Sequence, residues 1–198
     1  MYVSSWFPSN LVLGGFESTL NRLGKWLVTA FFIAILVGRH DAEALWAATG
    51  SVVNAGLSAV LKQVLSQERP VSTLRSDPGM PSSHAQSIFF IVIFAVISMV
   101  EWLGANGLTV TFSALALMCG SYLSWLRVSQ QLHTISQVVV GASIGTIFSI
   151  LWFWSWDAFV LQAFVSHLWV RALVVSGAVG FCLGFVIYVI RYWIVDRN

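Results

Sequence analysis

The chain has 198 residues, of which 58% are hydrophobic and only 9% charged, whereas a soluble globular domain carries about a quarter charged residues. That composition excludes a separate water-exposed domain and leaves one integral membrane domain over residues 1–198. A net charge of +2, with ten Lys and Arg that form no run or stripe, gives no footprint for nucleic acid.

In chain order, the first twenty residues, MYVSSWFPSNLVLGGFESTL, have neither the basic start of a secretory signal nor the arginines of a transit peptide. No presequence is expected within them. A helix rises 1.5 Å per residue, so roughly 20 apolar residues cross a hydrocarbon core of about 30 Å. Six spans are predicted, at about 23–37, 44–61, 87–100, 108–126, 138–154 and 172–190. Lipid cannot satisfy backbone polar groups, and no long alternating pattern suggests a barrel, so these runs are helices and the fold class is an all-α membrane bundle. Cys119 and Cys182 lie inside apolar runs, which suits small buried packing residues better than a disulfide framework or a thiolate metal site. Trp152, Trp154 and Trp156 in WFWSW fit an aromatic belt at the end of the fifth span. GASIG (141–145) and GFCLG (180–184) have the small-xxx-small spacing that lets helices approach, and packing within the bundle is expected of both.

Six spans would put the N-terminus, residues 62–86, residues 127–137 and the C-terminus on one side of the membrane. Arg22, Lys25, Lys62, Arg69, Arg75, Arg127, Arg191 and Arg197 then share that side, with Arg39 and Arg171 opposite. Three of the eight belong to the constellation below, so the bias that remains does not fix orientation.

That constellation comes from three short pieces: KQVLSQERP (62–70), PSSH (81–84) and RVSQQLHTISQ (127–137). Each cation alone reads as an interfacial anchor. Together, Lys62, Arg69 and Arg127 face one another across two loops with few carboxylates beyond Glu68 and Asp77, and an anion would complete the group. Phosphate fits, because guanidinium forks bind its oxygens in pairs, lysine adds a point charge and serine hydroxyls donate to the rest. PSSH stands where a helix begins, so the backbone N–H groups near Ser82 and Ser83 are expected to point at the same anion. His84 and His133 add what a binding site alone would not need: neutral imidazole can attack phosphorus, and imidazolium can protonate a departing alkoxide. His40 and His167 stand outside the constellation and receive no role.

These residues resemble the type 2 phosphatidic acid phosphatases, whose motifs read Lys-x6-Arg-Pro, Pro-Ser-Gly-His and Ser-Arg-x5-His-x3-Asp. Lys62, Arg69 and Pro70 match the first; Pro81, Ser82 and His84 match the second, with Ser83 for glycine; Arg127 and His133 match the third, with Leu126 for serine and Gln137 for aspartate. The wording GMPSSHAQS and HTISQVVVG is similar to plant plastid lipid phosphate phosphatases of the epsilon type, and secondarily to dolichyl diphosphate phosphatases. The resemblance implies a haloperoxidase-like helical bundle in a plastid envelope membrane, or in the endoplasmic reticulum. It implies a metal-free, cofactor-free phosphatase acting on a lipid phosphate, phosphatidate above all. In that reading His133 is the nucleophile, His84 the acid, and Lys62, Arg69, Ser82, the Ser83 backbone and Arg127 hold the phosphate. Gln137 would orient His133 in place of the aspartate, unless Asp77 or Glu68 supplies a carboxylate. Restoring the family residue, Gln137→Asp, is expected to preserve or raise turnover. Two alternatives stay open: a polyprenyl diphosphatase using the same residues, and an inert lipid-phosphate binder or transporter.

Overall fold

The computed structural model describes residues 30, 33–34, 38–39, 41–70 and 78–195. Helix α1 is Ala42–Leu65, α2 Ser83–Leu103, α3 Gly107–Ser129 and α4 Ile135–Ser155. A π-helical turn, Trp156–Val160, joins α4 to the short α5, Leu161–Ser166, and α6 is Leu168–Val195. No strand occurs among the described residues. Five of the six predicted spans fall on α1, α2, α3, α4 and α6; the sixth, 23–37, lies almost wholly outside the described residues. The helices Ala42–Leu65, Ser83–Leu103 and Gly107–Ser129 and the continuous run Ile135–Ser166 are long and apolar enough to cross a membrane, and Leu168–Gly184 is a shorter apolar stretch. The fold is an all-α membrane bundle.

The starts of α1 to α4 are set by polar caps. Asp41 accepts from Ala44 N at 2.8 Å, Ser82 caps α2, and Asn106 and Thr134 form capping boxes with Thr109 and Gln137. The box on α4 matters most here, because it commits Gln137 to the helix start.

Helix α2 runs through the centre, where Phe90, Ile91 and Phe94 pack with Ala47 of α1 and against Phe148, Trp152 and Phe153 of α4. Its approach to α4 depends on two glycines of GASIG. A Cβ on Gly141 would meet the Ser82 carbonyl oxygen at 2.5 Å, and one on Gly145 would collide with the Gln86 carbonyl. A side chain at either position would push the helices apart, so the small-residue spacing is a packing device as expected. For GFCLG no such approach occurs among the described residues, where Gly180 and Gly184 have nothing near them and Gly177 closes on Thr49 of α1.

The aromatic belt is also revised. Trp152 stacks on Trp46 with ring centroids 4.2 Å apart, and the two indoles exchange hydrogen bonds with each other's carbonyls, Trp46 Nε1 to Trp152 O at 3.1 Å and Trp152 Nε1 to Trp46 O at 2.9 Å. Trp156 is buried beside them, and only Trp154 faces outward. Two of the three tryptophans therefore clasp α1 to α4. Cys119 and Cys182 are exposed rather than buried, because α3 and α6 turn most of their apolar surface away from the bundle.

Candidate active site

Four chain segments converge at the end where α1 and α3 finish and α2 and α4 begin. Lys62 lies in the last turn of α1. Ser66, in the left-handed region at φ 41°, donates its N–H to the Lys62 carbonyl at 3.0 Å and ends the helix. The chain then carries Arg69 inward until it is only 7% exposed. Gly79 ties the returning segment to this one, its N–H donating to the Gln67 carbonyl at 2.6 Å. Arg127 is in the last turn of α3, and its carbonyl accepts from the N–H groups of Leu132 (3.0 Å) and His133 (3.1 Å). His133 is thus held over the end of α3, just before Thr134 caps α4.

The His133 ring is 3% exposed. Its Nδ1 lies 3.0 Å from the Gly79 carbonyl oxygen and 3.1 Å from Gln137 Oε1, while Nε2 lies 3.0 Å from Arg69 Nη1. A carbonyl cannot donate and a guanidinium cannot accept, so Nδ1 carries the proton and Nε2 presents its lone pair. The same Arg69 nitrogen donates to the Leu132 carbonyl at 3.0 Å. Burial, and after it the Arg69 charge, push the imidazole down from 6.5 to about 4; the Gln137 hydrogen bond opposes this, and Arg127 and Lys62 add to it. His133 is neutral at physiological pH and sits in the field of three cations.

Gln137 is fully buried. Its Oε1 accepts from His133 Nδ1 and from Thr134 N at 3.2 Å. Its Nε2 donates to the Glu68 carbonyl at 2.9 Å and to Gln67 Oε1 at 3.2 Å. The amide therefore uses both donors and both lone pairs. Gly79 is glycine for a visible reason: a Cβ there would stand 2.6 Å from Gln137 Nε2.

Of the residues singled out in the sequence, Arg69, His133 and Gln137 are directly hydrogen-bonded, and Lys62 and Arg127 act on His133 through their charge. Ser82 joins them differently from the expectation. Its N–H donates to the Gln137 carbonyl at 3.0 Å and its hydroxyl caps α2, so that N–H is not aimed at an anion. Ser83 Oγ accepts from Ser58 Oγ at 2.8 Å, and His84 follows, half-buried, in the first turn of α2. Glu68 reaches Gln137 with its carbonyl, not its carboxylate. Asp77 and His40 lie outside the described residues. Sequence reasoning missed Gln67, Gly79, Ser58 and the Leu132 carbonyl; only Gly79, in PGMP, carried a visible signal, that of a turn. Among the described residues no three His, Cys, Asp or Glu side chains are grouped so as to hold a metal ion.

The model of the PAP2 superfamily matches residues 43–161. The chain belongs to the PAP2 superfamily. That stretch takes in α1 to α4 and all three PAP2 motifs. The chain is 54% identical to the Arabidopsis thaliana lipid phosphate phosphatase epsilon 2, chloroplastic, over 92% of its own length and 64% of the relative's. It is 54% identical to the Arabidopsis epsilon 1 protein, also chloroplastic, over 93% of its own length and 66% of the relative's. The chain thus spans just under two thirds of the length of these relatives. A Saccharomyces cerevisiae dolichyldiphosphatase is 31% identical over 64% of this chain and 57% of that one. No solved structure matches this PAP2 chain significantly.

Proposed function

We propose that the chain is a lipid phosphate phosphatase that hydrolyses phosphatidate to diacylglycerol and phosphate through a phosphohistidine, in a plastid membrane. The observation that carries this reading is the His133 ring itself: Nδ1 is pinned as donor while the Nε2 lone pair meets the Arg69 guanidinium at 3.0 Å. A nucleophilic nitrogen and a phosphate-binding cation are already side by side. Arg69 leaves the ring for the phosphate oxygens as substrate binds, since a charged phosphate offers a guanidinium two acceptors and far stronger attraction than a neutral nitrogen. Arg127 and Lys62 hold the remaining oxygens, with Ser83 at the start of α2.

His133 Nε2 then attacks phosphorus as the bond to the lipid oxygen breaks, and His84, as imidazolium, gives its proton to the departing alkoxide. Water next attacks the phosphohistidine, returning a proton to His84; the N–P bond breaks and phosphate leaves with both histidines restored. The epsilon-type relatives support a lipid phosphate as substrate and a chloroplast as location. The yeast relative supports a prenyl diphosphate as the alternative substrate.

Purified protein in detergent, with chelator present, is expected to release phosphate from phosphatidate faster than from a prenyl diphosphate; the reverse order would assign the second substrate. His133→Ala is expected to insert normally and release none. Labelled phosphatidate, quenched in alkali where phosphohistidine survives, should leave label on the wild type and not on His133→Ala. Turnover by His133→Ala at the wild-type rate would overturn the assignment.

A further inference from the structure

We propose that Gln67 is a positioning residue for His133, acting as an obligatory hydrogen-bond acceptor at the outer end of a relay through Gln137; as a role in turnover this rests on the phosphatase reading. The orientation of the Gln137 amide is not free. Thr134 N–H can only donate and the Glu68 carbonyl can only accept, so Oε1 faces the first and Nε2 the second. One lone pair and one N–H remain. The lone pair takes the His133 Nδ1 proton and the N–H goes to Gln67, which must therefore present an oxygen.

The result is a directional chain: Gln67 Oε1 accepts from Gln137 Nε2, and Gln137 Oε1 accepts from His133 Nδ1, which leaves Nε2 as the free base of the ring. Hydrogen bonds in series polarise one another, so drawing on the amide N–H makes the amide oxygen a better acceptor and the distal imidazole nitrogen a better nucleophile. Gln67 also reaches the ring a second way. Its backbone carbonyl holds the Gly79 N–H at 2.6 Å, and the Gly79 carbonyl is the other acceptor of the Nδ1 proton. One residue thus supports both groups that fix the tautomer, by side chain on one arm and main chain on the other.

Gln67 is exposed, so its side chain can be changed without disturbing the core. Gln67→Glu keeps an oxygen acceptor and adds a negative charge; Gln67→Met keeps the length and removes the acceptor. With histidine-selective nitrogen labelling, nuclear magnetic resonance of the detergent-solubilised protein follows the four histidines, and His133→Ala identifies which signal is His133. The Glu variant is expected to raise the His133 titration midpoint, its charge acting through Gln137 against Arg69, Arg127 and Lys62, the cations that face the ring. The Met variant, with the acceptor gone, is expected to lower the midpoint below that of the wild type. In turnover, Gln67→Met should lower kcat about three- to tenfold, as for one neutral hydrogen bond, at unchanged KM, while Gln67→Glu keeps the wild-type rate or exceeds it.

The midpoint decides, and it needs no turnover. A Gln67→Met midpoint equal to that of the wild type overturns the relay whatever the rates, because the added charge of Gln67→Glu acts on the ring through space as well. If the midpoint follows the acceptor while wild-type protein releases no phosphate, the relay stands and the phosphatase reading falls.

Discussion

At the end of the bundle where α1 begins, Arg39 donates Nε to Asp41 at 3.0 Å and its two Nη groups to Glu43 at 3.1 and 2.9 Å, with Ser98 between them. At the other end, Arg69 Nη1 donates to the Leu132 carbonyl and the His133 ring, both neutral. The first guanidinium is ion-paired with two carboxylates. The field of the second reaches the imidazole and depresses its pKa. The residue type is the same, and these acceptors differ: carboxylates beside Arg39, a carbonyl and an imidazole beside Arg69.

The comparison would break most visibly at Arg69. Arg69→Met is expected to cost on the order of a hundredfold or more in kcat/KM, like loss of one oxyanion donor; a loss below tenfold, measured by phosphate release, would mean that its charge is not used.

Gln137→Asp should come next. The sequence favoured this change as a return to the family residue, but the amide geometry points the other way. A carboxylate there is one methylene shorter and has no donor for the Glu68 carbonyl or Gln67 Oε1. Orphaned acceptors of that kind cost about 1–3 kcal/mol, and a loss of about ten- to a hundredfold is expected. Turnover at or above wild type would restore the sequence-based expectation.

A smaller effect is expected in the pH profile. His133 stays neutral down to about pH 4, so the acid limb it sets in kcat/KM should lie near 4, and Arg69→Met, with one repelling charge gone, should move that limb up toward 6.5 in whatever activity remains. The same depression has a stability sign. Between pH 6.5 and about 4 the unfolded chain takes up a proton at His133 that the folded chain refuses, so this group makes stability fall as pH is lowered through that window. Thermal melts across those pH values, compared with His133→Ala, would check it.

The smallest effect should be at the opposite end. Arg39→Met is expected to leave turnover unchanged and lower Tm by about 2–4 °C, as for a loss of about 1 kcal/mol; a tenfold loss of activity would mean that the two ends are coupled.

The sequence carried a good part of this arrangement. Motif spacing named Arg69, His133 and Gln137, and the four-residue step from His133 to Gln137 placed the second within reach of the first. Apolar run lengths located five helices, because a span has to be long and continuous. What stayed hidden was contributed by main chain or by distant partners. The Gly79 and Leu132 carbonyls are present in every residue type, so no letter marks them. Gln67 meets Gln137 across 70 positions, and nothing in either local pattern pairs them. Ser82 could be read as a helix start, but not as a residue whose N–H is taken by the Gln137 carbonyl. Trp152 and Trp156 were misread because belt and clasp share one composition; only the neighbouring Trp46 distinguishes them.

That clasp has an optical consequence. Two indoles stacked at 4.2 Å and 12° from parallel are close enough for their electronic transitions to mix, which gives paired circular dichroism bands of opposite sign that isolated tryptophans lack. Trp156 lies farther from Trp46, with ring centroids 6.4 Å apart, so the strongest couplet is a signature of α1 lying on α4. Its disappearance during detergent exchange or heating would time the separation of these two helices without any label, and Trp46→Phe would supply the blank.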